Sequence, residues 1–166
     1  MGNPKFEILS VYPALDSTYG LLQGMAYTLP FSFAGVFLGL MRKGYDRKLL
    51  LSTVVMLGGF SQLVTGTVTS FPLLCLMRSF HGACFSLTIP LLSTLVRDYF
   101  PQERRGTANS ILYSANYFGT ALSSISVLII SQFGWRTTYG IMGAFGLAVG
   151  LFSGLFVRNP EAAEEP

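Results

Sequence analysis

Long apolar runs alternate with short clusters of charge along almost the whole chain. A hydrocarbon core of about 30 Å takes roughly 20 apolar residues to cross as a helix. Five runs have that scale, at 18–41, 49–69, 71–96, 107–133 and 137–157. They are too long and too free of period-two alternation for the strands of an outer-membrane barrel. The pattern therefore predicts an all-α integral membrane protein, a bundle of five transmembrane helices with the lipid bilayer as its solvent. An extramembrane segment over 1–17 precedes the bundle, and an acidic tail over 158–166 follows it.

The breaks between runs carry the charge. Arg42, Lys43, Arg47 and Lys48 follow the first run, Arg97, Arg104 and Arg105 the third, and Arg158 the fifth, whereas the other two breaks hold Ser70 and the single cation Arg136. Positive loops stay on the cytoplasmic or equivalent side, so alternate loops face inward and the N-terminus is expected outside. The membrane itself is not specified by this rule.

Prolines and glycines punctuate the runs without ending them. Pro30 and Pro90 should kink their helices, and neighbouring helices in a bundle can re-satisfy the carbonyls they free. Gly146, Gly150 and Gly154 recur every fourth residue, as do Ala115, Gly119 and Ser123. Small residues at that spacing let helix backbones approach closely.

Composition adds exclusions. Of 166 residues, 51% are hydrophobic and 11% charged, and the mean hydropathy is +0.51. The net charge of +3 sits in short clusters between apolar runs, which reads as topology signalling and not as a nucleic-acid-binding stripe. Cys75 and Cys84 fall in one apolar run and read as packing residues. Residues 1–17 lack the basic and apolar regions of a secretory signal. With one histidine and no phosphate-binding glycine loop, no catalytic constellation, metal site or cofactor is expected.

Four motifs then occur in order. The loop from Gly39 to Lys48 resembles the cytoplasmic signature loop of the major facilitator superfamily. It keeps register at Gly39, Arg47 and Lys48, but Lys43 stands where the family aspartate belongs and Gly44 where its arginine does. Arg78-Ser-Phe-His81-Gly82 is similar to the arginine motif on the family's fourth helix. Arg97-Asp98-Tyr99-Phe100-Pro101 with Arg105-Gly106-Thr107-Ala108-Asn109 resembles the connection from fourth to fifth helix, and Phe133-Gly134-Trp135-Arg136 the corner before the sixth. The resemblance covers roughly residues 8 to 160 and leans toward spinster-like or organic-anion-like carriers. It implies that the five spans are family helices two to six, with the first helix and the second half of a carrier not represented.

Arg78 lies seven residues into an apolar run, and an intramembrane charge needs a partner or a water-filled cavity. The resemblance implies substrate or proton coupling there; a guanidinium that snorkels to the polar boundary near Ser70 is the other reading. His81, three residues on, shares its helix face and could relay protons or tie helices together as a neutral imidazole. Asn109, Tyr113, Asn116 and Thr120 make one polar stripe, suited either to lining a solute cavity or to interhelical hydrogen bonds. Asp46, Arg47, Lys48, Arg104 and Arg105 are expected to form a cytoplasmic charge cluster. In the resembled family such a network latches the two halves of a carrier, and Lys43 reverses its key charge.

Two functions follow as expectations. In one, the chain is a partial or half carrier for a small, anionic solute, completed by a second half-transporter chain or another copy. In the other it is a transporter-derived, non-transporting subunit of a larger membrane complex, with Gly146, Gly150 and Gly154 meeting other subunits. A portion of an ordinary full-length carrier would read the same way.

Overall fold

The computed structural model describes residues 24–40 and 46–157. Lys43, the 1–17 segment and the 158–166 tail lie outside the described residues. Five helices follow one another: α1 (Ala26–Leu40), α2 (Arg47–Thr67), α3 (Phe71–Tyr99), α4 (Gln102–Ser123) and α5 (Ile125–Phe156). Three of them, α2, α3 and α5, are long and apolar enough by length and composition to cross a membrane. No strand occurs among the described residues.

Local chemistry sets the helix limits. Asp46 caps α2, its carboxylate accepting the Leu49 N–H at 2.9 Å, which satisfies one of the orphan donors at a helix start. Pro72 sits in the first turn of α3, where its missing N–H costs nothing. The apolar stretch 107–133 is divided differently from the single span its hydropathy suggests. Helix α4 stops at Ser123, and α5 begins at Ile125. Hydroxyls in this stretch bond back to their own helix: Thr120 to the Asn116 carbonyl at 3.0 Å, Ser123 to that of Thr120 at 2.6 Å, and Ser126 to that of Ser123 at 2.5 Å. Such bonds offer the backbone an alternative to the regular ladder. Helix α5 carries one further break at Gly134, whose φ of 79° is open to a residue without Cβ.

The surface identifies the solvent. Phe33 is 73% exposed, Tyr117 75% and Leu155 76%, with many other large apolar side chains outward, an arrangement water would penalise and lipid does not. Inside the bundle the contacts are made by small and hydroxylated residues, including buried Ser52, Ser61, Thr65, Ser86 and Thr138. This chain is an integral membrane protein.

Helix α2 is the centre of the bundle, packing on both α5 and α3, while α1 lies along α3. The α2–α5 pair is antiparallel, and its seam is built from glycine. A Cβ on Gly59 would come within 2.6 Å of the Leu147 nitrogen, one on Gly143 within 2.5 Å of the Leu63 nitrogen, and one on Gly66 within 2.7 Å of the Arg136 carbonyl oxygen. Met56 occupies the notch at Gly150, and Ser52 lies against Gly154. Gly146, Gly150 and Gly154, expected on the subunit reading to meet other chains, are instead covered by α2. Dispersion between closely approached backbones is the main attraction available when lipid tails are as apolar as the side chains.

Two apolar clusters flank this seam. Val68, Leu74 and Trp135 close the end where α2 hands over to α3. Leu51, Val54, Cys84, Leu91 and Leu95 fill the half nearer the basic loops. Cys84 is buried there and Cys75 packs beside the first cluster, so both serve as small apolar residues. Helix α4 buries no residue, and it meets α3 and α5 only sparsely. The Ala115, Gly119, Ser123 stripe is exposed, with no atom within 4 Å of a Cβ placed on Gly119.

Candidate functional site

Pro30 creates the first element of the site. A proline inside a helix cannot donate to the carbonyl four residues back, which here is Ala26. The Ser79 hydroxyl supplies that bond at 2.7 Å, fixing α1 against α3 one residue beyond Arg78. The two backbones meet most closely at Gly82, where a Cβ would fall 2.5 Å from the Tyr27 carbonyl oxygen.

That approach assembles four rings. The centroids of Tyr27 and Phe31 are 6.0 Å apart, those of Phe31 and Phe85 6.3 Å, those of Phe85 and His81 6.3 Å, and those of His81 and Tyr27 6.1 Å. They form a closed quadrilateral between α1 and α3. His81 is also tied to α2: Nδ1 lies 3.2 Å from the Gly58 carbonyl oxygen and Nε2 3.1 Å from Gln62 Nε2. A carbonyl can only accept, so Nδ1 carries the proton and Nε2 accepts from the Gln62 amide as that amide is placed. His81 is thus bonded between helices through both ring nitrogens.

Arg78 lies about 10 Å along α3 from its start and His81 about 15 Å. The Arg78 guanidinium sits over the Tyr139 ring of α5, 5.1 Å from its centroid. Cation–π contact of this kind gains weight where water is excluded. The guanidinium therefore bridges α3 and α5, beside the cluster of Val68, Leu74 and Trp135 on which Tyr139 packs.

A second cation, Arg136, has a structural task. Its guanidinium donates to the carbonyls of Gly66 at 3.3 Å and Val68 at 3.1 Å and lies 4.7 Å from the Trp135 ring centroid. It closes the C-terminal end of α2, where carbonyls have no partner in the helix and positive charge is favoured.

At the other end of the bundle the charges gather on a residue that the sequence pattern did not single out as their partner. Arg47 forms an ion pair and hydrogen bond with Asp98, and Arg97 approaches the same carboxylate at 3.8 Å. Asp46 caps α2, and Arg105 donates to the Phe100 carbonyl at 3.1 Å. Asp98 is the carboxylate between α2 and α3, and neither Arg104 nor Lys48 forms an ion pair with it. Gly39 lies in the last turn of α1.

Helix α4 does not join the Arg78 site. Asn109 is half-buried, with Oδ1 enclosed and without a hydrogen-bond partner among the described residues. Tyr113, Asn116 and Thr120 are exposed. Ser79, Gln62, Tyr27 and Tyr139 are the site neighbours that sequence reasoning missed. The amide of Gln62 in an apolar run was the one available signal among them.

The fold and site define a class: a helical membrane bundle with a guanidinium and a hydrogen-bonded imidazole between its helices. Residues 8–166 match the Major Facilitator Superfamily, and the chain belongs to that family. It is similar to the 3-(3-hydroxy-phenyl)propionate transporter of Escherichia coli, 28% identical over 124 residues, covering 75% of this chain and 30% of the relative. It is also similar to the 4-hydroxybenzoate transporter of Pseudomonas aeruginosa, 24% identical over 160 residues, covering 92% and 35%. A third relative is a probable chloroplastic anion transporter of rice, Oryza sativa subsp. japonica, 23% identical over 133 residues, covering 78% and 22%. The chain spans between 22% and 36% of the length of the curated relatives it matches.

Proposed function

We propose that the chain forms one wall of a solute path in a membrane carrier, and that Arg78 receives a small organic anion there. The observation that carries this reading is the guanidinium held over Tyr139, between α3 and α5. A fixed positive charge in a low-dielectric site attracts an anion far more strongly than the same charge in water. Relatives named for transport of an anion, of 4-hydroxybenzoate and of 3-(3-hydroxy-phenyl)propionate support the same sign of charge.

A carrier of this type binds its solute between two bundles that rock against one another. One bundle supplies one side, and a second half-carrier chain or another copy supplies the other. The Arg47–Asp98 pair then fastens the basic ends of α2 and α3, so that the two helices tilt together. His81, hydrogen-bonded through both ring nitrogens, positions α3 against α2 in this scheme and relays no proton.

Uptake of a radiolabelled carboxylate into proteoliposomes, using protein purified from its native membrane with whatever accompanies it, tests the proposal. Uptake that is lost in Arg78→Gln while helix content is retained supports it. Uptake indifferent to Arg78→Gln, or no uptake by the wild type, overturns it.

A further inference from the structure

We propose that the α3–α4 turn seats the headgroup of an anionic phospholipid, its phosphate received by the guanidiniums of Arg97 and Arg104 and its upper acyl chain lying against Phe100.

The turn stands at the height of the headgroups. Helix α3 has 29 residues, about 43 Å at 1.5 Å each, which matches the roughly 40–45 Å of a bilayer with its polar layers included. A helix begun at Phe71 in one polar layer therefore delivers Arg97 and Phe100 into the other. Pro101 is the N-cap of α4, and the Arg104 N–H donates to its carbonyl at 3.0 Å. Arg97 thus stands in the last turn of one helix and Arg104 in the first turn of the next, with Phe100 between them.

The cations at this end are not equivalent. Arg47 is bonded to Asp98, and Arg105 donates to the Phe100 carbonyl at 3.1 Å, fastening the turn itself. Arg97 approaches Asp98 only through Nε, at 3.8 Å, and its side chain is 56% exposed. Its two terminal nitrogens enter no hydrogen bond or ion pair among the described residues, and neither does the exposed side chain of Arg104. Around the turn Arg47, Arg97, Arg104 and Arg105 stand against two carboxylates, Asp98 and Glu103, so the charge that remains is positive. A guanidinium presents its donors as a planar fork that fits a phosphate.

The ring beside these forks selects a lipid over a free anion. Phe100 is 43% exposed, and an aromatic side chain is favoured at the boundary between headgroups and acyl chains. A free phosphate ion would meet the charges and gain nothing from Phe100. The arrangement is not repeated around Arg136 at the opposite end, where the guanidinium is engaged with the carbonyls of Gly66 and Val68. The side on which basic loops lie follows from topology alone. Topology does not call for two unpaired guanidiniums flanking an exposed ring.

Native mass spectrometry of the full chain in an uncharged detergent at low salt tests this with dioctanoyl phosphatidylglycerol and dioctanoyl phosphatidylcholine. The two lipids share acyl chains and phosphate and differ in net charge. Phosphatidylglycerol is expected to bind about twentyfold tighter, as two basic groups worth about fivefold each imply. Arg97→Gln combined with Arg104→Gln, both at exposed positions, should shrink that preference to about twofold or less, with helix content checked by circular dichroism. Arg42→Gln combined with Arg158→Gln removes the same charge elsewhere and should leave most of the preference. Inorganic phosphate in large excess should not displace the lipid. Equal binding of the two lipids by the wild type, or an equal loss of preference in the two double variants, overturns the proposal. Displacement by phosphate overturns the lipid assignment in favour of a free anion.

Discussion

The Ser79 hydroxyl donates to the Ala26 carbonyl at 2.7 Å, the acceptor that Pro30 leaves open within α1. One residue on α3 thus repairs a defect in another helix, and the repair fixes the distance between Tyr27 and His81.

Removing that bond has a specific consequence. Ser79→Ala should destabilise the protein by about 1–2 kcal/mol, because it strands an enclosed acceptor. Pro30→Ala supplies an N–H to the same carbonyl, so adding it to Ser79→Ala should recover part of the loss. Unfolding in mild detergent across the four proteins of this cycle measures the coupling. Strict additivity would show that the two residues do not share the acceptor.

The glycine seam separates positions that look alike in sequence. Gly59→Ala drives a methyl group into the backbone around Leu147 and should cost about 1–3 kcal/mol, as overpacking does. Gly119→Ala meets nothing and should be neutral or gain up to about 1 kcal/mol from helix propensity. Thermal unfolding of both variants decides the point, and equal effects would contradict the packing described.

The hydrogen bonds of His81 fix its tautomer. Nitrogen NMR on labelled protein should find the proton on Nδ1, and Gln62→Ala should leave it there while costing about 0.5–1.5 kcal/mol. A proton on Nε2 would mean that Gln62 presents its oxygen and that the bond to Gly58 is not made.

Trp135 is the sole tryptophan of the chain, so its emission reports the Arg136 corner. Arg136→Ala removes both the stacked cation and the bonds to Gly66 and Val68. It should shift the emission and lower stability by about 1–3 kcal/mol. Arg136→Lys keeps a donor but loses the planar stack, and should fall between.

The helical bundle was legible because lipid imposes a length and an apolar composition that few other folds share. Arg78 was legible for the same reason, as a charge where charge is expensive. The division at Ser124 was not, because serines that bond to their own helix look neutral in hydropathy while they loosen the ladder. Pro30 announced a carbonyl in need of a donor without saying which helix would provide it. The quadrilateral of rings was hidden more thoroughly: Tyr27, Phe31 and Phe85 resemble any lipid-facing aromatic until the α1–α3 approach at Gly82 brings them together. The Gly146, Gly150 and Gly154 spacing showed that close packing was intended. It left open that the partner was α2.

The seam between α2 and α5 also limits how the bundle can deform. Leu63 and Met56 sit like teeth at Gly143 and Gly150, seven residues apart on each helix. Sliding one helix past the other lifts each tooth out of its notch before the next glycine, a turn away at Gly146 or Gly154, comes under it. The pair is geared, and it leans most easily as a single lever.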